Sequence, residues 1–155
     1  MQDVGPIARI YNLAVANTVA TFDTEPRSHE AQAEFLSHHD ARHPVIVAEL
    51  NGTVVGWAAL SQWSERKAYD GTAEVSVYID ETWRGKGIGK RLLTDLIDLG
   101  RKAGLHTLLA RIADGNEVSL RLHHQAGFQD VGVMREVGYK FQRWVDVHLL
   151  QLIFH

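Results

Sequence analysis

The chain has 155 residues, enough for one domain and too few for two of ordinary size, so positions 1–155 are expected to form a single domain. Hydrophobic residues at 45% against 23% charged exclude a disordered or fibrous chain, and a net charge of -3 argues against a protein that mainly holds nucleic acid or an anionic membrane. With no cysteine there is no disulfide, no thiolate metal site and no cysteine nucleophile.

Met1-Gln2-Asp3-Val4-Gly5-Pro6 has no basic region, and no apolar run approaches the roughly 18 residues of a membrane helix, so the cytoplasm is the expected location. From Pro6 to about Ala20, Ile7, Ile10, Tyr11, Ala14 and Val15 recur at helical spacing. A second helix begins near Ser28, carries Phe35 and Leu36 on its apolar side, and ends before Pro44. Residues 45–50 and 53–60 read as antiparallel strands joined at Asn51-Gly52, a pair suited to the positive φ angles of a tight turn. After a polar loop, Thr72, Glu74, Ser76 and Tyr78 alternate with Ala73, Val75, Val77 and Ile79, which predicts a strand with one polar face. Arg84-Gly85-Lys86-Gly87-Ile88-Gly89 then runs into a helix reaching Gly100 or Gly104. A strand over Thr107–Ile112, a helix over 116–126 and two β-rich segments around Val137-Gly138-Tyr139-Lys140 complete the order ααβββαβαββ.

Glycines between a strand and a helix suit several phosphate ligands. The Walker pattern fails because Arg84 stands at its first glycine and Arg91 at its Ser or Thr. The dinucleotide pattern fails because Lys90 occupies its third glycine. What survives is Arg-x-x-Gly-x-Gly, in which Gly87 and Gly89 let backbone amides approach an anion, such as a pyrophosphate, at the positive end of a helix.

That loop resembles the acetyl-CoA loop of the GNAT superfamily of N-acetyltransferases, of the form Gln/Arg-x-x-Gly-x-Gly/Ala. A nearer resemblance, to the phosphinothricin and methionine sulfoximine acetyltransferase branch, is carried by Ile10-Tyr11-Asn12, Thr24-Glu25-Pro26, Ala68-Tyr69-Asp70, Thr72-Ala73-Glu74, Ser76-Val77-Tyr78, Ser119-Leu120-Arg121-Leu122-His123, Gly127-Phe128 and Gly138-Tyr139-Lys140. It implies an α/β fold with a mixed, mostly antiparallel sheet flanked by helices. The family's first strand is short or missing here, because almost no residues precede the first helix.

The resemblance further implies acetyl-CoA as co-substrate, direct transfer to an amine, and no metal. Glu74 resembles the branch's base for the amine proton; a strand glutamate in a cross-strand pair is the structural alternative. His123 stands where many relatives place a tyrosine that protonates the departing thiolate, and a surface helix histidine is its alternative. Val77, Tyr78 and Ile79 resemble the backbone partners of the pantetheine arm. Arg84, Gly85, Lys86, Gly87, Ile88, Gly89 and Lys90 resemble the pyrophosphate loop, with Asn116 and Ser119 facing the cofactor; Asn116 could equally cap its helix. The implied acceptor site comprises Phe22, Arg66, Tyr69, Glu74, Val75, Ser76, Tyr139 and Lys140, and the implied acceptor is a small amino-acid-like amine. Asp23 and Ser64 stand where phosphinothricin enzymes carry cations, which favours a neutral-ended acceptor such as methionine sulfoximine or sulfone.

Peptide acetylation, a catalytically silent acyl-CoA sensor and a nucleotide-binding regulator are the competing readings. His39 and His43 have helical i,i+4 spacing but no third ligand in evidence, and they are expected on a solvated helix face rather than at a metal. A homodimer is expected from the branch and from the apolar run Val145, Val147, Leu149, Leu150, Leu152, Ile153 and Phe154.

Overall fold

The structure is a computed structural model, and it describes residues 3–155. Ten principal elements follow in order: α1 (Val4–Asn17), α2 (His29–Ser37), β1 (Val45–Leu50), β2 (Thr53–Gln62), β3 (Thr72–Ile79), α3 (Ile88–Lys102), β4 (Thr107–Ala113), α4 (Glu117–Gln125), β5 (Gln129–Lys140) and β6 (Arg143–Ile153). The strands form one sheet in the order β1-β2-β3-β4-β6-β5. Every neighbouring pair is antiparallel except β3 and β4. No strand precedes α1 among the described residues, so β1 is an edge.

Each face of the sheet is covered by its own helices. On one, Leu92, Leu93, Leu96 and Ile97 of α3 and Leu120 of α4 pack on Ala58, Leu60, Ala73, Val75, Leu108 and Ala110. Gly100 permits this approach, since a Cβ there would stand 3.1 Å from Leu60. On the other face, Ile7, Ile10, Tyr11 and Val15 of α1 and Leu36 of α2 cover Val54, Trp57 and Ala59. Burying large aliphatic and aromatic side chains contributes about 1.5–3 kcal/mol each, so these two layers account for most of the fold's stability.

Several boundaries differ from expectation for local reasons. Helix α1 stops at Asn17 because Thr18 turns extended and donates its hydroxyl to the Ala14 carbonyl. Ser28 caps α2 through the Ala31 amide, and α2 ends at Ser37, so His39 and His43 lie beyond the helix and share no helical face. His39 instead packs on Phe35 and contacts Ser61, while His43 meets Asp40. The last two strands connect at Phe141-Gln142 rather than within 137–140. Within the C-terminal run, Val145, Val147 and Leu150 are buried in the chain's own core. The exposed apolar surface lies on β5 instead, at Val131, Val133 and Val137.

Candidate active site

Strands β3 and β4 are paired only over Thr72–Glu74 and Thr107–Leu109. Beyond Glu74 they diverge, so the β4-facing edge of residues 75–79 is left without a strand partner. A sheet interior rarely leaves such backbone donors and acceptors unmatched unless a ligand or water takes them. Val77, Tyr78 and Ile79, expected as backbone partners, therefore lie along an opening through the sheet. The Tyr78 ring itself turns under α1, 5.3 Å from Tyr11 and 5.0 Å from Trp57, so only its main chain faces that opening.

The glycine loop stands at the end of this opening, joined to β3 by one short turn at Glu81–Trp83. Gly85 has φ +75 and Gly87 φ +82, and nothing lies within 4 Å of a Cβ built at either. Gly87 is the N-cap of α3, so the amides of Ile88, Gly89 and Lys90 are the unsatisfied first-turn donors of a 15-residue helix. Left-handed glycines, open space above them and three convergent amides fit a pyrophosphate. A Cβ at Gly89 would meet Leu122 of α4 at 3.4 Å and Ile79 of β3 at 3.8 Å, ordinary contacts, so packing alone does not require glycine there.

Glu74 sits where the splay begins, on the face that carries α1 and α2, and its side chain is one-fifth exposed. Arg111 of β4 holds it with two bonds, Nε to Oε2 at 2.5 Å and Nη2 to Oε1 at 2.7 Å. The same guanidinium lies over the Trp63 ring. Arg111 escaped the sequence reading; its only signal is a cation within the otherwise apolar strand Thr107–Ala113.

His123 belongs to the opposite face. It is 4% exposed, its ring packs edge-on against Phe128, and Nδ1 lies 2.8 Å from the Ser119 carbonyl. Because a carbonyl only accepts, Nδ1 carries the hydrogen and Nε2 the lone pair. Burial moves the His123 pKa below its ordinary value. The expected surface alternative is therefore wrong, and a neutral ring of this tautomer delivers a proton from Nε2 only after first accepting one. Glu74 and His123 do not touch and stand on opposite faces of the sheet, Glu74 on the side of α1 and α2 and His123 on α4. Asn116 caps α4 by accepting from the Ser119 amide, and its side chain also lines a pocket beside Arg84.

The acceptor residues divide. Arg66 and Tyr69 are exposed on the loop before β3, and Ser76 lies beside Glu74 on the same face of the strand. Val75 points the other way and is core, 7% exposed. Tyr139 is exposed and packs against Trp144. Lys140 is corrected outright: it is 5% exposed, and its ammonium donates to the Thr18 and Thr21 carbonyls at 2.7 Å each. It anchors the segment after α1 rather than facing a ligand. The Phe22 ring on that segment rests on Gly138, where a Cβ would fall 2.1 Å from it. Asp23 stays half-exposed but is bound by the Tyr11 hydroxyl and lies 3.5 Å from Arg27.

A sequence model of the acetyltransferase (GNAT) family matches residues 7–128, most of the framework just described. The chain belongs to the GNAT family. Among its GNAT relatives, the L-methionine sulfoximine/L-methionine sulfone acetyltransferase of Salmonella typhimurium is 40% identical, covering 97% of this chain and 88% of that one. A phosphinothricin acetyltransferase from Sinorhizobium meliloti, solved in complex with acetyl-CoA, superposes with a TM-score of 0.94 at 34% identity over 99% of this chain and 84% of that one. A ribosomal-protein-alanine N-acetyltransferase from Brucella melitensis superposes with a TM-score of 0.95 at 36% identity, covering 99% and 95%. No helix among the described residues of this GNAT chain is long and apolar enough to cross a membrane.

Proposed function

We propose that this GNAT enzyme transfers an acetyl group from acetyl-CoA to the amino group of a small amino-acid-like acceptor, directly and within a ternary complex in the cytoplasm. The observation that carries the reading is the splay after Glu74, with the glycine loop at its end and a carboxylate at its root. The pantetheine arm lies along the free edge of Val77–Ile79, and the pyrophosphate rests on the amides from Gly87 to Lys90. Holding both reactants in reacting geometry supplies about 7–11 kcal/mol, so no covalent enzyme intermediate is needed.

The amine must lose a proton before it attacks, and the departing thiolate must gain one. Glu74, oriented by Arg111, takes the first, directly or through a water. His123 accepts a proton at Nε2 and returns it to the thiolate. Backbone amides of residues 77–79 hydrogen-bond the thioester oxygen as negative charge develops there.

A neutral-ended acceptor is preferred because Ser64 supplies no cation and Asp23 no compensating one. Asp23 adds little repulsion of its own, since Tyr11 and Arg27 already hold its carboxylate. Peptide amino termini are the second reading, favoured by the likeness to the Brucella enzyme. A thiol-release screen with acetyl-CoA separates the two. Methionine sulfone and sulfoximine are expected to exceed phosphinothricin in kcat/KM; turnover only of peptides would overturn the small-molecule reading, and no saturable acetyl-CoA binding at millimolar concentration would overturn the transferase itself.

A further inference from the structure

Residues 18–23 leave α1 and run as irregular backbone on the sheet face that carries Glu74. One side of this segment is tied to β3. The Tyr11 hydroxyl donates to Asp23 and accepts from the Thr21 hydroxyl at 2.9 Å, and the Tyr11 ring stands edge-on to Tyr78, 5.3 Å away. The other side is tied to β5. There the Lys140 ammonium donates to the Thr18 and Thr21 carbonyls at 2.7 Å each, and the Phe22 ring rests on Gly138. Because β3 and β5 lie on opposite sides of the β3–β4 opening, the segment spans that opening as a strap.

Both ties to β5 cost something. Lys140 is 5% exposed, and Asp23, the acid of the strap, pairs with Arg27 instead. Burying an ammonium without a carboxylate is expensive, and an apolar side chain of similar length would fill the place more cheaply. What the ammonium supplies is two donors for carbonyls that belong to no helix or strand. Gly138 is not among the glycines with positive φ, so its backbone would accept a side chain; the space is taken by the Phe22 ring, which an added Cβ would overlap. Two positions of one strand are thus given over to holding the strap.

The place of the strap decides what it borders. Ser76 and Tyr78 share the face of Glu74, and the strap passes at Tyr78. With the thioester at the main chain of residues 77–79 and the amine proton taken by Glu74, the two reactants meet on that face between Glu74 and Tyr78. The body of the acceptor then lies against the strap. We propose that residues 18–23 form the wall that closes the acceptor site, and that Lys140 and Gly138 are positioning residues which set the size of acceptor admitted without touching it. The assignment rests on the reading of Glu74 and residues 77–79 as the reacting centre for an amino-acid-like acceptor.

The test is steady-state kinetics of the wild type, Lys140→Met, Lys140→Arg and Gly138→Ala with methionine sulfone and with the bulkier S-benzylcysteine sulfone, which has the same amino-acid end. The wild type is expected to prefer the smaller acceptor. Lys140→Met keeps the length of the side chain but removes both donors. It should raise the KM for methionine sulfone roughly tenfold and reduce the preference by a similar factor, while kcat falls less. Lys140→Arg, which keeps donors, should recover part of the preference. Acetyl-CoA affinity by calorimetry should hardly move, since the groups assigned to the cofactor are main-chain groups of β3 and α3. Gly138→Ala lifts Phe22 off the sheet without removing a charge, and should shift the preference in the same direction; it carries the test alone if Lys140→Met does not fold. A merely structural role would lower kcat equally for both acceptors and leave KM and the preference unchanged, which overturns the assignment, as does an unchanged preference in Gly138→Ala. A rise in the KM for acetyl-CoA alone would set the strap against the cofactor and overturn it too. If the wild type acetylates neither amino acid, the acceptor reading fails first and the strap assignment falls with it.

Discussion

At the scale of single residues, the pairing of Glu74 with Arg111 keeps one carboxylate oriented beside the gap in the sheet. Glu74→Gln preserves the shape and a hydrogen bond to Arg111 but removes the proton acceptor. It should lower kcat by about 10²–10⁴ while acetyl-CoA affinity, measured by calorimetry, stays nearly unchanged. Unaltered turnover would mean that the amine loses its proton to bulk water. His123 makes a different prediction, about stability. Burial holds its pKa below the ordinary 6.5 in the folded chain, so above that value the ring is neutral whether folded or not. As pH falls below 6.5 the unfolded chain takes up the proton first, and folded stability is lost progressively toward the folded pKa. His123→Phe should therefore lose less stability than wild type between pH 7 and 5, by at most about 1.4 kcal/mol per pH unit. Urea unfolding at the two pH values checks this; equal slopes would assign the whole effect to other buried groups such as His39, whose pKa burial also lowers.

Two hairpins in this chain solve the same geometric problem with different residues. Asn51-Gly52 turns β1 into β2 with φ angles of +51 and +80, which those residue types adopt at little cost. Phe141-Gln142 turns β5 into β6 with φ angles of +52 and +61, where neither residue is suited to the left-handed region. Such strain is retained where a side chain is needed, and the Lys140 ammonium lies 5.2 Å from the Phe141 ring. Replacing the pair by Asn-Gly should raise stability by about 1–3 kcal/mol in denaturant. A variant no more stable than wild type would show that the turn stores no strain. Two β-rich segments were legible in the C-terminal third, yet the turn between them was not, because Phe-Gln carries none of the usual turn chemistry.

For the whole molecule, the apolar surface left over is on the outer strand β5 and the hairpin end, where Val131, Val133, Tyr139 and Trp144 are each at least two-fifths exposed. An edge strand with this character invites a partner, and the homodimer expected from the sequence would cover it. Sedimentation at twice the 17.4 kDa chain mass is expected. Val131→Glu with Val133→Glu should give the single-chain mass, and a wild type already at that mass would refute pairing. The element order, the Asn-Gly turn and the glycine loop were readable from the sequence, because periodicity, turn chemistry and motif spacing are local properties of a chain. Tertiary structure decided what each of those residues faces. Lys140 looks like a ligand contact in sequence but is held by the carbonyls of Thr18 and Thr21, far along the chain. Arg111 becomes the partner of Glu74 only because three residues of parallel pairing set β4 beside β3 before the strands part. Such contacts join segments tens of residues apart, and no local pattern records which strand will stop pairing, or where.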